Sequence, residues 1–385
     1  MTTVLFGVLQ VKAFLAAVKK YVQRSDMLLL GLCLASTVFG IVLIASATNV
    51  EHTHRYVIIQ SGATVIGLGL YVVFSLIDVE IFAQKWRLLF IFSVMLLVSL
   101  LFLGVADNTG NRAWIRFAGI GIQPAEIVKI PFIILLAKLM CHLHETRGLS
   151  NIWSVPQLAF LLMLFVGLIV RISSDMGSAL VYVFIFVLMM WIGGLQIRWF
   201  LAGGALVAAA FPFVWNHFFT ERYRMRILAP YDPTIDPEGL DIKYHVKQSL
   251  AAMSHGGLTG SGLFQGSKTQ SGSVFAQHTD FIFSVAAEEL GFFGCMLIII
   301  LLTAIIVRCI YVGTQSKRQM DLLICSGIAG MLIFQTLENI GMCVGLTPVI
   351  GLTLPFFSYG GSSIITMFAA MGIVSGIRMR SRSGW

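Results

Sequence analysis

Long apolar runs separated by short polar breaks dominate the chain, and their spacing predicts its elements. Apolar windows fall near 27–47, 56–77, 86–106, 124–141, 156–172, 176–193, 199–217, 281–307, 320–346 and 357–377. Most match the roughly 20 residues a helix needs to cross a bilayer, the fifth and sixth being the short ones. Only helices and closed barrels satisfy backbone polar groups in lipid, and uninterrupted runs of this length mean helices. The expected fold is an all-α polytopic membrane protein of ten transmembrane helices, with a large extracytoplasmic loop (218–280) between helices 7 and 8. The expected organisation is a cytoplasmic amphipathic segment over 1–26, the ten-helix membrane domain over 27–378 and a cytoplasmic tail over 379–385.

Composition agrees with this reading. Hydrophobic residues make up 57% of the 385 and charged residues 11%, about half the charge density of a soluble chain. With the N-terminus inside, Lys and Arg gather in the cytoplasmic loops, as at Lys19, Lys20 and Arg24, Lys85 and Arg87, Lys317 and Arg318, and Arg378 to Arg382. The short loops on the other side hold only Arg55, Arg112, Arg116 and Arg171, so both termini are expected in the cytoplasm. The net charge of +8 mostly reflects that inner collar, which suits anionic lipid headgroups. Basic residues dispersed over the loops of one side give no support to nucleic-acid binding. The six cysteines lie in spans or near cytoplasmic ends, and no structural disulfide is expected. Leu5, Leu9, Phe14 and Val18, among basic residues, read as an interfacial amphipathic helix rather than a cleaved signal peptide.

Polar residues in or beside apolar runs mark the candidate chemistry, because lipid tolerates them only when paired or functional. His278-Thr279-Asp280 stands where the long loop enters the eighth span. An acid at that membrane mouth suits chemistry on a lipid-borne substrate, and its simpler role is to cap the helix. Glu126 and Lys129, following Pro124 at the start of the fourth span, share one helix face, either as a self-neutralising pair or as site residues. Asp175 opens the sixth span, where an N-cap is the more economical reading. Glu288 and Glu289 lie about two turns inside the eighth span and need a partner, a proton or water. Glu338 and Asn339, in the ninth, are placed to hydrogen-bond a neighbouring helix.

Three loops add to the set. Trp114 reads as an interfacial anchor or a site residue, and Arg112 and Arg116 beside it suit bidentate phosphate binding. Ser249 to Ser273, rich in Gly and Ser, reads first as a flexible linker and second as a backbone N–H cradle for phosphates. Asn339 to Ser363, with Pro348, Pro355 and Gly360-Gly361 in close order, reads as a broken re-entrant connection lining a cavity.

Three ordered motifs carry a resemblance over nearly the whole chain. The first is Asn339, then Gly345-Leu346-x-Pro348, then Ser358-Tyr359-Gly360-Gly361-Ser362-Ser363. The second is His278-Thr279-Asp280-Phe281-Ile282-Phe283 with Glu288-Glu289-Leu290-Gly291, and the third is Trp114-Ile115 with Gln123-Pro124-x-Glu126 and Lys129. In these the chain resembles the SEDS family (shape, elongation, division and sporulation), which includes RodA, FtsW and SpoVE. The resemblance implies a ten-span peptidoglycan glycosyltransferase of the bacterial cytoplasmic membrane, polymerising lipid II into β-1,4 glycan strands on the outer face. It also implies a class B penicillin-binding protein, a transpeptidase, as partner within an elongation or division complex. The family's essential acid maps to Asp280, its outer-loop Trp to Trp114, and its fourth-span acid and lysine to Glu126 and Lys129.

For that reaction Asp280 is expected to deprotonate the acceptor 4-hydroxyl, which attacks the donor sugar with inversion. Lys129 and Arg112, together with Arg116 or Lys243, are expected to hold the diphosphate leaving group. His278 and a further polar set of Asp175, Glu288, Ser358, Gly360 and Gly361 complete the expected surroundings. A divalent cation, Mg or Mn, bridging acids and diphosphate is compatible with the sequence, which shows no dedicated metal cage. Two other readings stand beside this one: a lipid II flippase, and a non-catalytic scaffold for the transpeptidase. The chain also departs from the family. Val274-Phe275-Ala276-Gln277 replaces the usual Leu-Pro-Glu-x, Gly272 and Gly121 stand where some members carry an acid and a base, and Ser173-Ser174-Asp175-Met176-Gly177 replaces Gln-Pro-Asp-Leu-Gly. Asn339-Ile340-Gly341-Met342 leans towards RodA and Gly351-Leu352-Thr353-Leu354-Pro355 towards FtsW or SpoVE, which leaves the cellular role open.

Overall fold

A computed structural model describes residues 19–105, 112–117, 120–217 and 219–383. Of the expected amphipathic segment, 1–18 lie outside the described residues and 19–24 are helical. The apolar windows emerge as helices: α1 (Met27–Ala47), α2 (Arg55–Leu76), the short α3 (Val79–Gln84), then α4 (Trp86–Val98) running on into α5 (Leu100–Leu103). Then come α6 (Pro124–Thr146), α7 (Ser154–Leu168), which continues as a π turn to Ser173, α8 (Met176–Ile192) and α9 (Ile197–His217). The polar segment supplies α10 (Glu221–Leu228), α11 (Tyr244–Gly256) and α12 (Ser267–Gln270), followed by α13 (Ile282–Gln315), α14 (Gln319–Cys343) and α15 (Gly361–Ser383). Among the described residues nine helices are long and apolar enough to cross a membrane. α8, at 17 residues, is apolar but shorter.

The chain is thus a multi-pass helical membrane protein, with α6, α14 and α15 the most enclosed of its spans. α15 lies tight against α2: a side chain at Gly372 would meet the Tyr71 carbonyl at 2.5 Å, and one at Gly376 the Ser75 carbonyl at 2.7 Å. Small residues one turn apart let two backbones approach closely, which is how helices gain contact in lipid. α9, in contrast, has no fully buried residue and meets the core only at its edge, where Phe200 packs.

One end of the bundle is tied by ion pairs. Buried Asp26, before α1, pairs with Arg308 at 2.9 Å and with Arg378. Arg318 reaches Glu80 at 2.8 Å, Asp321 at 3.0 Å and Asp78 at 3.2 Å. These groups sit at the start of α1, the α2–α3 and α13–α14 junctions and the end of α15, so they share the end opposite Asp280.

Two segments differ from the expectation. The connection before α6 is a small antiparallel sheet of β1 (Gly104–Val105), β2 (Trp114–Phe117) and β3 (Ile120–Ile122), in which Val105 pairs with Trp114 and Arg116 with Gly121. The Gly/Ser-rich stretch is neither a linker nor a phosphate cradle. α13 breaks at Gly291, whose φ of 67° frees backbone groups on either side. The loop fills them: Ser261 and Gly262 donate to the Glu288 and Glu289 carbonyls at 3.0 and 2.9 Å, while Phe292 donates to Gly257 at 3.0 Å. A broken turn at membrane depth survives only when protein satisfies its backbone. The glycines are required by contact, since a side chain at Gly256 would sit 1.9 Å from the Ala287 carbonyl.

Candidate active site

Where α2, α6, α8 and α15 begin and α14 ends, the polar loop roofs a cavity of about 1580 Å³. Asp280 lines it, placed by a turn around Ala276, a non-glycine residue in the left-handed region at φ 49°. The Ala276 carbonyl accepts from the backbone N–H of Thr279, Asp280 and Phe281 at 3.1, 3.0 and 3.3 Å. Backbone strain of this kind is held only where surrounding bonds over-determine it. Here Gln277 supplies one such bond, donating to the Ala47 carbonyl at 2.6 Å. The capping role considered for Asp280 does not hold: Phe281 is the N-cap residue of α13, with no side-chain cap bond.

The broken Asn339–Ser363 stretch packs directly on that turn. Asn339 donates to the Asp280 carbonyl at 2.8 Å and to the Leu352 carbonyl at 2.7 Å. Ser358 donates to the Thr279 carbonyl at 2.5 Å, and the Tyr359 N–H to the His278 carbonyl at 2.8 Å. Gly351, at φ 74°, faces the Asp280 carboxylate, and a side chain there would stand 3.4 Å from Oδ2. Burial pushes the Asp280 carboxyl up to about 6; the Thr279 hydroxyl counters this and the Asp175 charge adds to it. Burial also holds His278 below the ordinary histidine range, the Glu51 charge acting against it.

Glu126 lines the cavity, and fully buried Lys129 donates to its Oε1 at 2.5 Å. Glu126 Oε2 has no hydrogen-bond partner among the described residues. Asp175 caps α8 through Ser178 N at 2.9 Å, as its position predicts, and also accepts from Gln123 Nε2 at 2.8 Å. The capping acid is therefore part of the cavity wall. Trp114 and Arg116, on β2, line it too, and Gly121 leaves room for the indole, whose ring would stand 3.0 Å from a side chain there. Gly360 and Gly361 lie on the lining, and the Gly360 N–H donates to Gln60 at 3.1 Å. Lys243 lines it with its ammonium on the Asp232 carbonyl at 2.8 Å.

Four expected site residues stand elsewhere. Arg112 is exposed and outside the lining, and Lys129 lies behind Glu126, because an ammonium in the bundle needs its carboxylate. Ser358 acts on the Asp280 turn from outside the cavity. Glu288 is also remote: its carboxylate accepts from Lys268 N and Thr269 N, both at 2.8 Å, and from the Thr269 hydroxyl at 2.7 Å. The N–H cradle of the Gly/Ser stretch thus holds the protein's own acid. Sequence reasoning missed Tyr56, Gln60 and Arg226. The first two open a helix that reads as apolar; Arg226 was visible only as part of the basic 221–226 string.

Membrane-spanning helices that open at one end into a cavity lined by a raised carboxyl, arginines and aromatic rings define a multi-pass membrane protein with a cavity at one end of its bundle. The family described as Cell cycle protein, grouping FtsW, RodA and SpoVE, matches residues 26–383, and the chain belongs to it. It is 31% identical over 316 residues to the peptidoglycan glycosyltransferase MrdB of Escherichia coli strain K12, covering 82% of this chain and 84% of that one. It is 31% identical over 365 residues to stage V sporulation protein E of Bacillus subtilis strain 168, covering 93% and 98%. Among solved structures it is similar to a chain from work on the structural coordination of polymerization and crosslinking by a peptidoglycan synthase complex. That match has a TM-score of 0.78 and 31% identity, and covers 93% of this chain and 99% of the other.

Proposed function

We propose that this protein is a peptidoglycan glycosyltransferase that polymerises lipid II into β-1,4 glycan strands, with its cavity at the outer face of the bacterial cytoplasmic membrane and both termini inside. The observation that carries this reading is the raised Asp280 carboxyl within a large cavity that Arg116 and Arg226 also line. A carboxyl near 6 is mostly ionised at neutral pH, yet is a stronger base than an ordinary aspartate. Asp280 takes the proton of the acceptor N-acetylglucosamine 4-hydroxyl as its oxygen forms the bond to the donor MurNAc C1. The bond from C1 to the diphosphate breaks, with inversion, and the leaving group carries its own charge away, so a second carboxylic acid is not needed. Arg116 and Arg226 meet that charge, in place of Lys129 and Arg112. For a divalent cation, Mg or Mn, no group of three His, Cys, Asp or Glu among the described residues is disposed to hold one, and Asp280 acts as the base without it.

The ion-paired opposite end argues for a site open to one side rather than a lipid II flippase, which must open to both. A class B penicillin-binding protein is the proposed partner, supported by the similarity to a chain of a synthase complex. The test is a gel assay of glycan strands from purified protein, partner and lipid II. Product from wild type and none from Asp280→Ala is expected. Equal product from both overturns the general-base role, and no product from partner-bound wild type favours a scaffold.

A further inference from the structure

Tyr56, His278 and Tyr359 form an aromatic corner of the cavity; His278 and Tyr359 belong to the motifs, and the proposed chemistry gives the corner as a whole no role. The Tyr56 ring centre lies 4.6 Å from that of His278 and 5.0 Å from that of Tyr359, and His278 and Tyr359 are 5.7 Å apart. The rings come from three separate segments: the first turn of α2, the turn that carries Asp280, and the broken stretch before α15. All three line the cavity and are half-buried, so each keeps part of its surface open to it. Rings that served only the core would be enclosed, as Tyr71 and Tyr182 are. The corner is also tied to the acid, because Tyr359 N–H holds the His278 carbonyl at 2.8 Å, two residues before Asp280.

We propose that Tyr56, His278 and Tyr359 are a stacking platform for the acceptor hexosamine ring, setting its 4-hydroxyl against Asp280. This deepens the glycosyltransferase reading and rests on it. A pyranose offers one face of C–H bonds and an edge of hydroxyls, so an aromatic face on the wall of a cavity that Asp280 also lines matches it in both respects. Burial lowers His278 below the ordinary histidine range, against the Glu51 charge, which favours the uncharged aromatic ring. A bare polyprenyl diphosphate has nothing for this corner to hold, which makes the platform a discriminator for the sugar.

Two measurements test it on the full-length protein in detergent or nanodiscs. In steady-state polymerisation, Tyr56→Leu should raise KM for lipid II by on the order of tenfold and change kcat far less. Tyr56→Phe, which keeps the ring, should recover most of the KM. A kcat loss at constant KM in Tyr56→Leu, or equal damage from Phe and Leu, overturns the platform and points to the phenol oxygen. In equilibrium binding, Tyr56→Leu should weaken the disaccharide-bearing polyprenyl diphosphate and leave the sugar-free one within about twofold of wild type. Equal weakening of both also overturns it. Sugar-selective binding that is lost in Tyr56→Leu, in a wild type that makes no glycan, sinks the polymerase reading and leaves the platform standing.

Discussion

Asn339, buried in α14, donates from one amide nitrogen to the backbone carbonyls of Asp280 and Leu352, at 2.8 and 2.7 Å. One side chain thereby joins a membrane helix, the turn that carries the acid and the broken stretch that covers it. Asn339→Leu should cost about 1–3 kcal/mol, because the Leu352 carbonyl loses this donor and the Asp280 carbonyl keeps only the weak Cys343 thiol. Its signature is a kcat loss larger than the Tm shift suggests, read by glycan assay beside thermal unfolding in detergent. A full-activity Asn339→Leu would show that the Asp280 turn is held without it.

The pH profile follows from the state of Asp280. Its carboxyl is raised to about 6 and the ionised form is the base, so kcat/KM should rise through about pH 6 and level off above it. An acid whose folded pKa exceeds its unfolded value lowers stability as pH rises through that interval. Asp280→Asn should therefore raise Tm at pH 7.5 and match wild type near pH 3.5, while making no glycan. A Tm gain that persists at pH 3.5 would detach the effect from ionisation.

Lys129 and Glu126 test the difference between support and contact. Lys129→Met leaves the Glu126 carboxylate buried without its cation and should cost about 3–5 kcal/mol. Adding Glu126→Gln should return most of that stability. Glycan synthesis should stay low in the double variant, since Glu126 lines the cavity. Recovery of both properties together would make the pair purely structural.

Glu288 should behave as a fold residue. Glu288→Gln weakens a carboxylate that accepts two backbone N–H groups and a hydroxyl, and should cost about 1–3 kcal/mol. Protease should then cut 257–273 faster, while KM for lipid II stays near wild type. Gly266→Ala should do more damage at the same place, because a methyl group would stand 2.7 Å from Glu288 Oε2. A KM change without faster cutting would return Glu288 to the substrate.

Much was written in the chain itself. The apolar windows marked the spans because a bilayer demands about twenty apolar residues per crossing, a one-dimensional constraint. Asp280, Trp114, Glu126 and the Asn339–Ser363 stretch were legible for a related reason: charge, Trp or closely spaced Pro and Gly at those places conflicts with an ordinary lipid-facing helix. What a polar side chain faces depends on segments far away in sequence, and only the folded chain decides it. Glu288 and Asp280 look alike in the string; a loop brings N–H groups to the first, and the second is left beside open space. The Gly/Ser run has a linker's composition, but the break at Gly291 supplies unpaired backbone groups that make it a fitted insert. Tyr56 carried no signal at all, because an aromatic residue opening an apolar helix becomes part of a site only when two distant segments set rings against it.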